Sequence, residues 1–78
     1  MEIVLLSQDN CGPCKMLKKY MDREGIEFRE INISKEPEQA DKYGIMSTPV
    51  TILEDEGEEV TRFNGFSPDK VEEFAEYL

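Results

Sequence analysis

Residues 9–21 read DNCGPCKMLKKYM, and this stretch contains both cysteines of the chain. Only Gly12 and Pro13 separate Cys11 from Cys14. A helix is predicted to begin at Gly12, because proline fits the first helical turn, where its missing N–H would have no intrahelical partner. The predicted apolar face of this helix comprises Met16, Leu17, Tyr20 and Met21. Both cysteines of the chain are therefore expected at the start of an amphipathic helix.

Alternating strand and helix patterns surround the cysteine pair. The first predicted elements are a strand at 3–6, the helix from 12 that Gly25 ends, and a strand at 26–33. A second helix is capped by Ser34, has Pro37 in its first turn, and is closed by Gly44 after Tyr43. Hairpin strands at 50–53 and 60–63 follow around a turn at Asp55 and Gly57, and Ser67-Pro68 opens a last helix with the apolar residues Val71, Phe74, Ala75 and Leu78. The first strand–helix–strand unit predicts parallel pairing with a right-handed crossover. We therefore expect an α/β fold of order β-α-β-α-β-β-α, with a four-stranded mixed sheet and three flanking helices in one domain spanning 1–78.

The composition restricts the classes of function. The 78 residues include 18 acidic and 9 basic side chains, which give a formal net charge of −9. This charge argues against nucleic-acid binding, which needs a basic surface, and against binding to an anionic membrane. The apolar run Ile3–Leu6 is too short for a membrane span or for the core of a signal peptide. We therefore expect a cytoplasmic monomer.

In the reducing cytosol, a close cysteine pair indicates catalysis or metal binding rather than a permanent disulfide. The free N–H groups and the partial positive charge at a helix N-terminus favour a thiolate at Cys11. Lys15 and Lys18 either add to this charge or form a solvated helix face. Cys14 lies within reach of Cys11, so Cys11 is the candidate nucleophile that attacks a disulfide and Cys14 the candidate resolving thiol.

Metal binding and a purely structural disulfide are the other interpretations of the pair. The chain has no histidine and no further cysteine, whereas a structural zinc site needs four ligands. A disulfide across two residues closes a tiny loop and adds little stability. We therefore predict no metal and no bound cofactor, because the thiols themselves carry the electrons. A non-catalytic interaction module, whose cysteines only respond to redox state, stays an alternative.

The sequence CGPC after an apolar strand, together with STPV at 47–50 before another, resembles the thioredoxin superfamily. The resemblance implies a thioredoxin/glutaredoxin-like fold in which Pro49 is cis and lies beside the active-site disulfide. It also implies that the backbone of Thr48 pairs with the substrate chain. Met46 and Ser47 flank this motif, and they either line the substrate groove or are ordinary loop residues.

Within the superfamily, the chain resembles the glutaredoxin-like NrdH-redoxins, which reduce ribonucleotide reductase. The resemblance spans nearly the whole chain and includes FNGFSPDKV at 63–71. It implies that Gly65 and Phe66 belong to the rim of the active site, although Phe66 is otherwise a candidate core residue. It further implies protein disulfide substrates such as ribonucleotide reductase, and a thioredoxin-reductase-type flavoenzyme as the electron source.

The chain departs from the related families at several positions. Thioredoxins usually have Trp where this chain has Asn10, and a buried Asp where it has Leu5, which leaves the proton acceptor for Cys14 unassigned. Glutathione-binding glutaredoxins usually have a basic residue where this chain has Gln8, and they carry a second glycine that the segment 64–69 lacks. A glutathione-coupled glutaredoxin is therefore the second interpretation, behind a protein disulfide reductase.

Overall fold

The computed structural model describes residues 1–78. Its elements are β1 (Glu2–Ser7), α1 (Gly12–Arg23), β2 (Arg29–Asn32), α2 (Glu38–Tyr43), β3 (Val50–Asp55), β4 (Glu58–Asn64) and α3 (Pro68–Ala75). This is the predicted order β-α-β-α-β-β-α. No helix of the chain has the length and apolar character needed to cross a membrane.

The four strands form one mixed sheet in the order β2-β1-β3-β4. β1 and β2 run parallel, with Leu6 opposite Ile31. β3 runs antiparallel to both β1 and β4. The predicted parallel pair and antiparallel hairpin are therefore confirmed, and the sheet with its three helices has the thioredoxin/glutaredoxin-like arrangement.

Apolar side chains cover both faces of the sheet. The cluster between the sheet and the helices α1 and α3 consists of Ile3, Leu5, Leu17, Met21, Leu53, Val71 and Phe74. The cluster on the opposite face, against which Ala40 and Tyr43 of α2 pack, consists of Val4, Leu6, Ile31, Ile45, Val50 and Ile52. Successive residues of a strand point to opposite faces, so the continuous apolar run of β1 supplies both clusters.

The directions of the strands bring two distant loops to one end of the sheet. β1 ends at Ser7 and α1 begins at Gly12, so Cys11 lies beyond the carboxyl end of β1. β3 starts at Val50 and runs antiparallel to β1, so Pro49 precedes β3 at this same end. The cysteine pair and the Thr48-Pro49 segment are neighbours for this reason.

The β3–β4 hairpin closes with a two-residue turn, Glu56-Gly57. Both residues have positive φ, 53° and 84° respectively. This conformation is typical of type I′ turns, whose twist matches that of the flanking strands. The predicted turn is confirmed, with Asp55 as the last residue of β3, and both strands extend beyond the predicted 50–53 and 60–63.

The strand predicted at 26–33 is too long, because β2 covers only four residues. The N–H of Ile26 donates to the carbonyl of Met21 at 2.9 Å, which closes the C-terminal end of α1. Gly25 adopts the positive φ of 70° that such a closure requires. The backbone of Ile26 is therefore part of the helix end rather than of the sheet.

The helix predicted from Ser34 begins later, at Glu38, with Pro37 as its N-cap residue. The hydroxyl oxygen of Ser34 accepts a hydrogen bond from the backbone N–H of Asp9 at 2.9 Å. The side chain thus holds a different loop instead of capping α2. Gly44 ends α2 with a φ of 65°, as predicted.

Two residues assigned to apolar helix faces are instead exposed. Met16 is 54% exposed, because the buried face of α1 is formed by Cys14, Leu17 and Met21. Leu78 is 53% exposed, because α3 ends at Ala75 and does not carry Leu78 onto the sheet.

Candidate active site

Cys11 is the N-cap residue of α1. It has the extended backbone, φ −105° and ψ 104°, that is usual before a helix. Its sulfur accepts the backbone N–H of Cys14 at 3.2 Å. One of the N–H groups left free by the first helical turn is therefore directed at this sulfur, and a thiolate there would also interact favourably with the helix dipole.

The two cysteines form a disulfide, with their Cα atoms 5.3 Å apart. Cys11 is 7% exposed, whereas Cys14 is only 1% exposed and packs on the inner face of α1. Gly12 and Pro13, between them, are exposed on the surface of the first turn. An approaching molecule therefore meets Cys11 before it can reach Cys14.

The segment before β3 lies beside Cys11. The hydroxyl of Thr48 donates to the sulfur of Cys11 at 3.5 Å, and the Thr48-Pro49 peptide bond is cis. The backbone N–H and C=O of Thr48 have no hydrogen-bond partner within the chain. The backbone N–H of Gly65 donates to the carbonyl of Pro49 at 2.9 Å, which joins the start of the last loop to this segment.

The remaining candidate residues lie in exposed loops. Met46 is fully exposed, Ser47 is exposed and Phe66 is 41% exposed, so the structure places none of the three in the core. The two surface grooves of the molecule contain neither cysteine. The surroundings of Cys11 thus form an open surface rather than a cavity. No group of three or more His, Cys, Asp or Glu side chains is arranged to hold a metal ion.

A ring of hydrogen bonds fixes the loop that precedes Cys11. The amide of Asn32 donates to the carboxylate of Asp9 at 3.0 Å, and its oxygen accepts the N–H of Ser34 at 2.8 Å. The hydroxyl of Ser34 accepts the N–H of Asp9, which completes the ring. The ring fixes the position of Asp9, which precedes Cys11 by two residues. Asn10, between the two, has a positive φ of 59°. The sequence alone gave no sign of this contact between segments 25 residues apart.

A second polar network joins α1 to β1 and β2. The hydroxyl of Ser7, which is 1% exposed, donates to the carboxylate of Glu30 at 2.6 Å, and the ammonium of Lys18 donates to the same oxygen at 3.0 Å. Burial acts to raise the pKa of Glu30, but the hydrogen bonds from Ser7 and Lys18 outweigh it, so this pKa lies below its usual value. Residues 26–33 carry a sequence signal for this network, because Glu30 and Asn32 alternate onto the same face of the predicted strand as the apolar residues Ile26 and Phe28.

β3 carries a buried hydroxyl without a partner. Thr51 is fully buried, and its Oγ1 atom makes no hydrogen bond. Thr51 lies opposite Leu5 and therefore points to the α1 side of the sheet. A buried polar group without a hydrogen bond lowers the stability of the folded state.

We expect Thr51→Val to raise the free energy of unfolding by about 1–3 kcal/mol, because valine keeps the shape of threonine and removes the unsatisfied hydroxyl. Chemical denaturation of both proteins measures the change. Thr61→Val is the matched control: Thr61 is exposed on β4, and its replacement should change stability by no more than about 0.5 kcal/mol. A loss of stability in Thr51→Val would show that the hydroxyl has a partner.

The fold and this site define a class. A thioredoxin fold with a Cys-Gly-Pro-Cys disulfide at the first turn of α1, and a cis-proline segment beside it, is that of a thiol-disulfide oxidoreductase of the thioredoxin superfamily. Within it, the chain belongs to the glutaredoxin family, whose sequence model matches residues 3–57.

Proteins of similar sequence and structure support the assignment to this superfamily and to this family. The SPbeta prophage-derived thioredoxin-like protein YosR of Bacillus subtilis is 43% identical over 79 residues, covering 100% of this chain and 99% of that protein. The glutaredoxin-like protein NrdH of Lactococcus lactis is 34% identical, covering 94% and 99% respectively. The NrdH-redoxin of Escherichia coli superposes with a TM-score of 0.77 at 29% identity, over 94% of this chain and 93% of that one. The chain is thus a glutaredoxin-like redox protein similar to NrdH.

Proposed function

We propose that the chain reduces disulfides in other proteins, with Cys11 as the attacking thiol and Cys14 as the resolving thiol. The observation that carries this proposal is the asymmetry of the pair. Cys11 is the more exposed cysteine, and its sulfur accepts hydrogen bonds from the Cys14 N–H and the Thr48 hydroxyl. Donors aimed at one sulfur stabilise negative charge on it, and the thiolate is the form that attacks disulfides.

The proposed reaction transfers two electrons. The Cys11 thiolate attacks one sulfur of the substrate disulfide, whose S–S bond breaks, and the first substrate thiolate leaves and takes up a proton. A mixed disulfide now joins Cys11 to the substrate. Cys14 loses its proton and attacks the Cys11 sulfur, which expels the second substrate thiolate. The substrate is reduced to two thiols, and the chain is left with the disulfide seen in this structure.

The substrate is proposed to bind as an extended segment along Thr48. The free N–H and C=O of this residue support the assignment, because an extended chain presents the complementary groups. Met46, Ser47 and Phe66 lie exposed in the same two loops, and Gly65 joins these loops through its bond to Pro49. An open rim of this kind suits a protein substrate better than a small molecule, which prefers a concave pocket.

A thioredoxin-reductase-type flavoenzyme is the proposed electron source, and ribonucleotide reductase is a proposed acceptor. The likeness to NrdH proteins supports both assignments, and the Escherichia coli NrdH-redoxin is described as having a thioredoxin-like activity profile. Glutathione carries two carboxylates, yet Gln8 replaces the basic residue typical of glutathione-binding relatives, and the chain has a net charge of −9. A cytoplasmic location belongs to the same proposal, because thioredoxin and glutathione systems keep protein thiols reduced in that compartment.

A coupled assay tests this proposal. Insulin reduction by the chain is measured with NADPH and a thioredoxin reductase, and separately with glutathione and glutathione reductase. We expect the first rate to exceed the second by at least about tenfold, because a missing charge-assisted hydrogen bond weakens glutathione binding by roughly 1.5–3 kcal/mol.

Dithiothreitol as the reductant is the positive control for both arms of the coupled assay. Insulin reduction under none of these conditions would favour the non-catalytic module, and equal rates would favour a glutathione-coupled glutaredoxin. A further arm replaces insulin with an oxidised ribonucleotide reductase, and we expect its turnover to depend on the chain.

A further inference from the structure

Polar side chains flank Leu5 of β1 on both neighbouring strands. Leu5 itself is fully buried between α1 and the sheet. Glu30 of β2 is its partner on one side, and Thr51 of β3 is its partner on the other. Directly opposite residues in neighbouring strands point to the same face, so Glu30 places a carboxylate on the α1 side of the sheet.

The contacts of Glu30 place this carboxylate beside the turn of α1 that follows Cys14. Lys18, which bonds Glu30 at 3.0 Å, follows Cys14 by four residues, so the two side chains are neighbours on the surface of α1. Ser7, which bonds Glu30 at 2.6 Å, is the last residue of β1 before the cysteine loop. The carboxylate is therefore held between the end of β1 and the helical turn that follows Cys14.

The two cysteines thus differ in the groups that surround them. Cys11 caps the positive end of the helix and accepts the Cys14 N–H. Cys14 is buried and precedes Lys18 by one helical turn, and the ammonium of Lys18 pairs with the carboxylate of Glu30 at 3.0 Å. The other charged groups around the pair are Asp9 of the preceding loop, Lys15 of α1, and Lys35, which acts on Glu30 from the loop after β2.

We propose that Glu30 keeps Cys14 in its thiol form and so leaves Cys11 as the thiolate of the reduced pair. A negative charge disfavours ionisation of a neighbouring thiol. Glu30 does not touch the substrate or the reacting sulfur atoms, so it is a positioning residue for the charge of the pair. This inference rests on the proposed roles of Cys11 and Cys14, but its test does not depend on turnover.

The test titrates each thiol alone by the ultraviolet absorbance of the thiolate, Cys14 in the background Cys11→Ser and Cys11 in the background Cys14→Ser. Glu30→Gln should increase the acid dissociation constant of Cys14 by roughly threefold to tenfold, the size expected for removing one charge at the edge of a protein interior. The effect on Cys11 should be smaller. Lys18→Gln should shift the constant of Cys14 in the opposite direction, because it removes the balancing positive charge.

Two controls separate this effect from a change in packing or in total charge. Glu30→Asp keeps the charge and should leave the titration of Cys14 near its original value. Glu27→Gln removes the same charge from an exposed position that lines the groove with Met1 and Leu78. If Glu30→Gln moves Cys14 no more than Glu27→Gln does, or moves Cys11 more than Cys14, the inference is wrong. If Glu30→Gln does not fold, Glu30→Thr, which removes the same charge with a residue suited to a strand, is titrated in its place against the same limits. Failure of the proposed function would appear instead as absent insulin reduction by the unmodified chain.

Discussion

Replacement of Cys11 by serine is expected to reduce the rate of disulfide reduction by roughly 10³-fold or more, the consequence of losing a covalent nucleophile. The serine hydroxyl would still receive the Cys14 N–H, but it does not ionise near neutral pH. Cys14, which is 1% exposed, cannot replace it as the attacking group for a protein substrate. Cys14→Ser should have a different outcome, since attack by Cys11 proceeds and resolution does not.

The two serine variants form a matched pair, because each replaces one sulfur atom with oxygen and leaves the other cysteine in place. Incubation of each reduced variant with disulfide-bonded insulin, followed by non-reducing electrophoresis and mass spectrometry, should show a mixed disulfide only for Cys14→Ser. The double variant serves as the background. Equal trapping by both single variants, or trapping by Cys11→Ser alone, would contradict the assigned roles.

Local patterns were sufficient to predict the elements around the site. The uninterrupted apolar run at 3–6 predicted the strand β1, and its alternate residues face the two apolar clusters, Val4 and Leu6 one cluster and Ile3 and Leu5 the other. Gly44 and Gly57 marked the end of α2 and the hairpin turn, because both positions need positive φ. The parallel pairing of β1 with β2 followed from the helix between them.

Contacts between distant segments could not be predicted in this way. Serine is a common N-cap residue of helices, yet the hydroxyl oxygen of Ser34 accepts the backbone N–H of Asp9 instead. No local sequence pattern distinguishes these two uses of the same oxygen. Ile26 has high β-propensity, yet its N–H completes the end of α1. Glu30 was visible only as a charge in a strand whose two faces were both mixed, and its importance depends on Lys18 and Ser7.

Leu5→Ala is expected to lower the free energy of unfolding by about 2–5 kcal/mol, the usual cost of removing a buried leucine side chain. Leu5 is fully buried in the cluster that α1 and α3 share with the sheet, and its strand lies at the centre of that sheet. At about 0.05–0.15 kcal/mol per residue, a chain of 78 residues has a total stability of about 4–12 kcal/mol. The substitution therefore removes a large part of that stability.

Urea denaturation followed by circular dichroism measures the loss, and Leu78→Ala provides a control with the same chemical change. Leu78 is 53% exposed and lies beyond the end of α3, so its truncation should change stability by no more than about 0.5 kcal/mol. Equal effects of the two substitutions would contradict the packing of α1 on β1. Because α1 carries Cys14 and Lys18 while β1 carries Ser7, the same packing holds the groups that surround the cysteine pair. Leu5→Ala should therefore also shift the acid dissociation constant of Cys14, measured in the background Cys11→Ser, whereas Leu78→Ala should leave it unchanged.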